Sequence, residues 1–209
     1  MAVVNTTWVV VLAVLWPALG VLSGVLMARR GYDPAWILLA LPLGPLFLPI
    51  ALERIRRRPG LAEFGAAGKP PTRTVEHTGP RVLVGLDGSD HSDRALQTVL
   101  RLFGSRCSLL VLAEVVSFDA TEGVTRTVID AAARRLADVA AGLTTAAAVH
   151  TEVLTGPPGP ALRRFAEEQD MDLLAVGRRG GGTSVLLGSV SADLVERCPV
   201  PVLVIEPPS

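Results

Sequence analysis

Residues 81–92 read RVLVGLDGSDHS, and this stretch decides the fold class of the chain. Its first six residues, Arg81–Leu86, form a short apolar run that predicts a strand, and Asp87 begins a run of turn residues. Ser92–Phe103 then repeats its apolar side chains every three or four residues, which predicts an amphipathic helix. A short strand that leads through a turn into a helix is the opening unit of an alternating α/β domain.

The same alternation continues to the end of the chain. It predicts four further strands, at Ser108–Val116, Val149–Leu154, Asp172–Val176 and Val200–Ile205. Helices are predicted between them, at about 124–143, from Pro160 to about Gln169, and at Ser189–Arg197. Five strands separated by helices predict an α/β fold with a right-handed, doubly wound parallel sheet. Such sheets bind ligands at the carboxyl ends of their strands, where the strand order reverses.

The first 58 residues differ from the rest, because residues 8–27 and 36–52 contain no charged side chain. At about 1.5 Å per residue the first run can cross a hydrocarbon core of about 30 Å. The pattern therefore predicts an α-helical transmembrane hairpin in residues 1–58. A cleaved signal peptide is the alternative for the first run, but nothing basic precedes Trp8. A bent interfacial segment is the alternative for the second run, which contains Pro42, Pro45 and Pro49.

Arginines on either side of the second run predict the orientation of the hairpin. Arg54, Arg56, Arg57 and Arg58 follow this run, whereas Arg29 and Arg30 precede it. By the positive-inside rule, the C-terminal domain should face the cytoplasm from the cytoplasmic membrane. Residues 59–80 are rich in Gly and Pro and are predicted to be a linker with few core contacts. Residues 81–206 form the predicted domain.

Composition excludes several classes of function. Lysines and arginines total 20, as do aspartates and glutamates, so the formal net charge is zero and nucleic acid is not an expected partner. Two cysteines, Cys107 and Cys198, are too few for a disulfide framework. No cluster of His, Cys and carboxylates has the spacing of metal ligands, and His91 is expected to face solvent.

Two loops carry the side chains that could bind a ligand. Asp87 follows the first strand, where a carboxylate can accept hydrogen bonds from a ribose or a base. Residues 177–184 read GRRGGGTS and follow the fourth strand, and Gly188 and Ser189 open a helix whose free amides favour an anion. An acidic turn and a plain glycine loop are the alternatives. Neither common phosphate fingerprint is present, so amides and hydroxyls would hold a phosphate, with Arg178 or Arg179 as available cations.

Three segments resemble the universal stress protein family over about Arg81–Glu206: VLVGLDGSDHSDRAL (82–96), VGRRG (176–180) and LLGSVSADLVERCPVPVLVI (186–205). The resemblance implies a five-stranded α/β domain that is usually dimeric and in many members binds ATP. The family's motif, G-x-x-G, nine residues, then G-[ST], implies that a set of residues surrounds the phosphates and ribose: Gly177, Gly180, Gly188, Ser189 and Val190. It implies a second set around the adenosine: Gly85, Leu86, Asp87 and Val115. Only seven residues separate Gly180 from Gly188, two fewer than in the motif.

These observations lead to one function and two alternatives. We expect a membrane-anchored regulatory or stress-response sensor that binds ATP or another adenine nucleotide, with magnesium possible alongside ATP. A nucleotide-free dimeric adaptor is the first alternative and a slow ATPase the second, although no Walker-type lysine or evident base supports catalysis and we expect no enzyme. Residues 200–205 are apolar on both faces, which predicts a strand at a sheet edge and a homodimer through it. The sequence identifies no protein partner.

Overall fold

The computed structural model describes residues 6–28, 36–49, 60–65, 67–73, 79–116, 122–178 and 188–206. The chain divides into two units, Met1–Arg58 and Pro59–Ser209. Helices α1 (Thr6–Ala28) and α2 (Trp36–Leu43) form the N-terminal unit with the short 3-10 turn Gly44–Leu46. Residues 50–52, the end of the second uncharged run, lie outside the described residues.

The C-terminal unit alternates strands and helices from residue 81 onward, as the sequence predicts. Its strands are β1 (Gly60–Phe64), β2 (Arg81–Leu86), β3 (Leu109–Val116), β4 (Ala148–Thr155), β5 (Leu173–Gly177) and β6 (Val202–Ile205). Its helices are α3 (Asp90–Phe103), α4 (Glu122–Ala141), α5 (Pro158–Glu168) and α6 (Ser189–Arg197). The sheet has the order β1-β4-β3-β2-β5-β6. The five strands from β2 to β6 are parallel, which confirms the predicted five-stranded parallel α/β sheet.

Alternate residues of the central strands face two separate cores. Val82 and Val84 of β2 pack with α3 and α4 on one face of the sheet. Leu83, between them, packs with α5 and α6 on the other face. Because both faces are covered, β2 and β3 must be apolar almost without interruption, which is why their sequences do not alternate. The strand order reverses between β2 and β5, so the carboxyl ends of these two strands mark the place where a doubly wound sheet binds ligands.

One strand lies where the sequence predicts a linker. Gly60–Phe64 pair antiparallel with β4, from Gly60 opposite Thr155 to Phe64 opposite Glu152, with a register shift between Leu61 and Glu63. The prediction of few core contacts for residues 59–80 therefore does not hold for this segment. The strand covers the edge of β4, whose N–H and C=O groups would otherwise be unpaired along that side.

The described residues after β1 continue along the C-terminal unit, and we call residues 60–65 and 67–73 the strap. Gly65 donates its N–H to the Thr151 carbonyl (2.7 Å). A Cβ on Gly65 would lie 1.8 Å from Thr151 Oγ1, so only glycine fits this approach. The His150 ring Nδ1 lies 3.2 Å from the Gly68 carbonyl oxygen. Arg73 donates to the Asp172 carboxylate (2.6 Å), whose other oxygen accepts from the Arg81 backbone.

A carboxyl group is buried next to the strap. Glu152 of β4 lies between β1 and β3 and is completely excluded from solvent. Among the described residues, neither of its carboxyl oxygens has a hydrogen-bond partner. Desolvation by burial raises the pKa of Glu152 from 4.5 to about 8, so the group is mostly protonated at neutral pH.

The N-terminal unit is a pair of packed helices. Gly20 and Gly24 of α1 face Ala40 and Ile37 of α2. Helix α2 ends at Leu43 because Gly44 adopts φ +54° and Pro45 follows it. In the described part of the chain, no helix has both the length and the hydropathy needed to cross a membrane, so the predicted transmembrane hairpin has no support from it.

Candidate functional site

The carboxyl ends of β2 and β5 lie side by side, because Val84 pairs with Ala175 near the end of each strand. Gly85 and Leu86 are the last two residues of β2, and Gly177 is the last residue of β5. Leu86 pairs with Glu114 of β3, and Val115 lies one residue beyond that pair. The structure therefore brings the predicted β2, β3 and β5 residues to one edge of the sheet.

Asp87 is exposed and follows β2 directly, in a turn that it helps to form. One of its carboxylate oxygens, Oδ1, accepts hydrogen bonds from the Ser89 backbone N–H (3.0 Å) and the Ser89 hydroxyl (2.5 Å). Ser89 in turn caps α3 by accepting from the Ser92 N–H (3.3 Å). Within the described residues, Oδ2 has no protein partner and remains available to accept a hydrogen bond from a ligand.

The two glycines of the strand ends have packing roles of their own. A Cβ on Gly177 would lie 2.8 Å from the His91 carbonyl carbon and 2.9 Å from His91 Cβ. A Cβ on Gly85 would lie 3.1 Å from side-chain atoms of both Leu162 and Val176. Glycine at 177 thus lets the first turn of α3 approach β5, and glycine at 85 makes room for α5. Neither requirement depends on a ligand.

His91 does not simply face solvent, as its place in a first helical turn predicts. The side chain is half-buried. Its Nδ1 atom is buried and has no hydrogen-bond partner among the described residues. The cause is the missing side chain of Gly177, which allows the α3 turn to pack closely on the end of β5.

Helix α6 begins at the same edge. Gly188 is its N-cap residue, with extended φ and ψ of −61° and 152°. Gly188 donates its N–H to the Arg178 carbonyl (2.9 Å), and Ser191 donates its hydroxyl to the same oxygen (2.8 Å). The two ends of the predicted phosphate loop are therefore joined directly. Arg179, Gly180 and the residues up to 187 lie outside the described residues, so the predicted role of Gly180 stays a prediction.

The first amides of α6 are the groups that an anion could use. Ala192 is the first residue of the helix whose N–H reaches back to Gly188 (2.9 Å). The N–H groups of Ser189 and Val190 precede it and have no intrahelical acceptor, and Ser189 is exposed. These amides, the Ser189 hydroxyl and the positive end of the helix dipole favour a bound anion.

Charged side chains near the edge are engaged with each other. Arg178, one of the two predicted cations, forms an ion pair with Glu206 just after β6. Glu114 of β3, which sequence reasoning missed, forms a two-point ion pair with Arg135 of α4. This hydrogen bond raises the pKa of the Arg135 guanidinium above its usual value. Glu114 interrupts the otherwise apolar run LLVLAEVV, and that interruption was the signal in the sequence.

No group of three His, Cys, Asp or Glu residues in the described part of the chain could hold a metal ion.

Comparison with known proteins agrees with the fold. Residues 80–206 match the model of the universal stress protein family. Universal stress protein MJ0531 of Methanocaldococcus jannaschii is 39% identical over 62 residues, which cover 29% of this chain and 36% of that protein. The alignment spans about a third of the length of this curated relative.

Two solved structures show the same architecture. The structure of hypothetical protein MJ0577 is 20% identical with a TM-score of 0.57, and the match covers 62% of this chain and 97% of that one. Universal stress protein UspA from Lactobacillus plantarum is 26% identical with a TM-score of 0.51, and the match covers 61% of this chain and 97% of that one.

Proposed function

Because the chain belongs to the universal stress protein family, we propose that its C-terminal unit binds an adenine nucleotide, with ATP as the leading candidate, and acts as a regulatory module in a stress response. One observation carries the proposal. Two segments far apart in sequence, Asp87 and the start of α6 at Ser189, both lie at the carboxyl edge where the strand order reverses between β2 and β5.

The chemistry of the two segments is complementary to a nucleotide. Asp87 Oδ2 is an acceptor for the ribose hydroxyls, and the Ser189 and Val190 amides are donors for a phosphate. Gly85, Leu86 and the Val115 backbone would form the adenosine side of the site, and Gly177, Gly180 and Gly188 the phosphate side. Lys69 cannot help, because it lies in the strap next to Gly68, which contacts His150 near the amino end of β4. We therefore expect modest affinity.

Calorimetry with ATP, ADP, AMP and cyclic AMP tests this proposal. Asp87→Ala should weaken binding about 10- to 100-fold, because it leaves ligand hydroxyls without an acceptor at about 1–3 kcal/mol. Asp90→Ala is the matched control, since Asp90 is an exposed aspartate in the same segment and should leave the dissociation constant unchanged. Absence of heat with all four nucleotides at millimolar concentration would refute the proposal.

The adaptor alternative has one observation in its favour, the phosphate loop that is two residues shorter than the family motif. If no nucleotide binds, the nucleotide-free dimeric adaptor becomes the favoured hypothesis. We propose no enzyme activity, because the described residues at this edge include no lysine that could neutralise charge in phosphoryl transfer.

A homodimer is the second part of the proposal. Strand β6 lies at a sheet edge, and each of its four residues, Val202 to Ile205, is only half-buried. The opposite edge is β1, a short antiparallel strand with a register shift, so β6 is the better edge for a partner strand. Light scattering of the C-terminal unit should give a dimer mass, and Val202→Lys should reduce it to the monomer.

Attachment to the cytoplasmic membrane is the third part, with the C-terminal unit on the cytoplasmic side. It rests on the uncharged residues 8–27 and 36–52 and on the arginines at 54–58. Carbonate washing of membranes checks it, because a chain that is held only by surface charge would be released.

A further inference from the structure

The described residues of the N-terminal unit bury small side chains and expose large apolar ones, the reverse of a water-soluble pair of helices. Its buried positions are mostly small: Gly20, Ser23, Gly24, Ala40 and Gly44, with Phe47 as the large exception. Its outer positions are large and apolar. Val14 is 66% exposed, Leu22 56%, Leu38 77% and Leu46 62%. A soluble protein places these residue types the other way round.

The small residues let the two helix backbones come into direct contact. A Cβ on Gly20 would lie 2.1 Å from the Ala40 carbonyl oxygen, and one on Gly24 would lie 2.9 Å from Ile37 Cα. A Cβ on Gly44 would lie 2.4 Å from the Trp16 ring nitrogen. Close backbone approach over small residues is the packing mode of helices in lipid, where burial of large side chains gives no advantage.

The polar side chains that the structure describes in this unit, those of Trp16 and Ser23, are satisfied internally. The Trp16 ring N–H donates to the Pro42 carbonyl (3.2 Å), next to the prolines that interrupt the second helix. Ser23 donates its hydroxyl to the Gly20 carbonyl (2.8 Å). Residues 6–28 and 36–49 contain no charged side chain. The described outer surface thus offers no charged group and little of the polar rim that protein interfaces use.

The distribution of exposed side chains identifies the occupant of this surface. At 100° per residue, Val14, Leu15, Leu19 and Leu22 cover about 140° of the circumference of α1. Leu38, Leu39 and Leu41 cover about 160° of α2 by the same measure. A second copy of the chain would cover one stripe of each helix, whereas acyl chains surround a helix on every free side.

We propose that the outer surface of α1, α2 and the turn after α2 is in contact with the acyl chains of a phospholipid bilayer. The inference rests on the proposed membrane attachment and adds to it which surface contacts the lipid, while the small residues Gly20, Gly24 and Gly44 keep the helices in contact with each other. Whether the chain attaches and whether this surface meets acyl chains are separate questions that the experiment keeps apart.

Tryptophan fluorescence of the full chain provides the test, because the three tryptophans, Trp8, Trp16 and Trp36, all belong to the N-terminal unit. The double variant Trp8→Phe and Trp36→Phe leaves Trp16, which is 40% exposed, as the sole reporter. In vesicles of phosphatidylcholine and phosphatidylglycerol with brominated acyl chains, bromine should quench most of its emission. Aqueous iodide should have little effect.

The control places a tryptophan on the C-terminal unit. Leu102→Trp, at a position 55% exposed on α3, in a chain with Phe at 8, 16 and 36, should respond to iodide and not to bromine. If the chain does not float with vesicles, the proposed attachment fails. If it floats but Trp16 responds to iodide alone, the surface faces water and the present inference is overturned. Protection from both quenchers that depends on protein concentration would assign the surface to a second copy and would also overturn it. Nucleotide binding of the same samples, measured in parallel, is independent of all these outcomes.

Discussion

Replacing Glu152 with glutamine should change how the stability of the C-terminal unit depends on pH. The carboxyl group is fully buried beneath β1, and its pKa is raised to about 8 by desolvation. In the unfolded chain the same group titrates near 4.5. Between these two values the unfolded state releases a proton that the native state keeps, so raising the pH favours unfolding.

The size of the change in the free energy of unfolding follows from the pKa shift of Glu152. At about 1.4 kcal/mol per pKa unit, the group lowers the free energy of unfolding by about 5 kcal/mol above pH 8, as an upper bound. Below pH 4.5 the titration of Glu152 does not lower the free energy of unfolding. The free energy of unfolding then falls as the pH rises towards 8. Between pH 5 and pH 7 the loss should be roughly 2–3 kcal/mol. Glu152→Gln keeps the shape and removes the titration, so this part of the pH dependence should disappear.

Urea unfolding of residues 59–209 at pH 5, 6, 7 and 8, followed by far-ultraviolet circular dichroism, measures the effect. His150, two residues earlier in β4, is common to both proteins, so any contribution from it cancels in their difference. Glu196→Gln is the matched control, because its side chain is 72% exposed. Equal pH slopes for the native chain and Glu152→Gln would show that Glu152 is ionised or compensated in the native state, and the reasoning would be wrong.

Three further predictions concern the same unit. Gly65→Ala should release the strap, because its Cβ would lie 1.8 Å from Thr151 Oγ1. Hydrogen exchange of the β1 amides should then accelerate. Gly142→Ala is the control, because its Cβ would lie 3.5 Å from its nearest neighbour and should leave the exchange unchanged. Asp193→Asn should lower the free energy of unfolding by about 1–3 kcal/mol in urea titrations. The cause is that buried Asp193 of α6 pairs with Arg163 of α5 (3.6 Å) and with Arg197 of its own helix (2.9 Å). Glu168→Gln, on an exposed pair, should cost little. A chain that starts at Thr78 should melt lower than one that starts at Pro59, because it lacks the strap; equal melting temperatures by calorimetry would show that the strap adds nothing.

Four of the five parallel strands could be predicted because each is a short apolar run, whereas β4 (AVHTEVLT) carries a weaker signal and is placed by the alternation of strands and helices around it. Strand β1 could not be predicted from its sequence. Its sequence, GLAEF, has no clear alternation and lies among Gly and Pro residues, and it becomes a strand because the edge of β4 is there to receive it. Pairing with a distant partner leaves no mark on the local pattern.

The candidate site was predictable to a similar degree. The places of Asp87 and Ser189 follow from the rule that ligands bind at the carboxyl ends of strands, and the structure puts both there. The burial of His91 depends on contact with Gly177, and the ion pair of Arg178 depends on Glu206, which lies 28 positions further along the chain. Both are tertiary contacts that no motif records.

The two edges of the sheet are unlike, and this limits how copies of the chain can add to one another. A parallel sheet with both outer strands bare could extend edge to edge into a ribbon without end. Here the chain itself occupies the outer side of β4 with β1, and β6 forms the other edge. If two copies join their β6 strands, each end of the joined sheet is a β1 strand that contains a register shift and is followed by Gly65, whose N–H is bonded to Thr151. Growth by the same contact then stops at two copies, because each copy has a single β6 edge and its opposite edge is the antiparallel β1 instead.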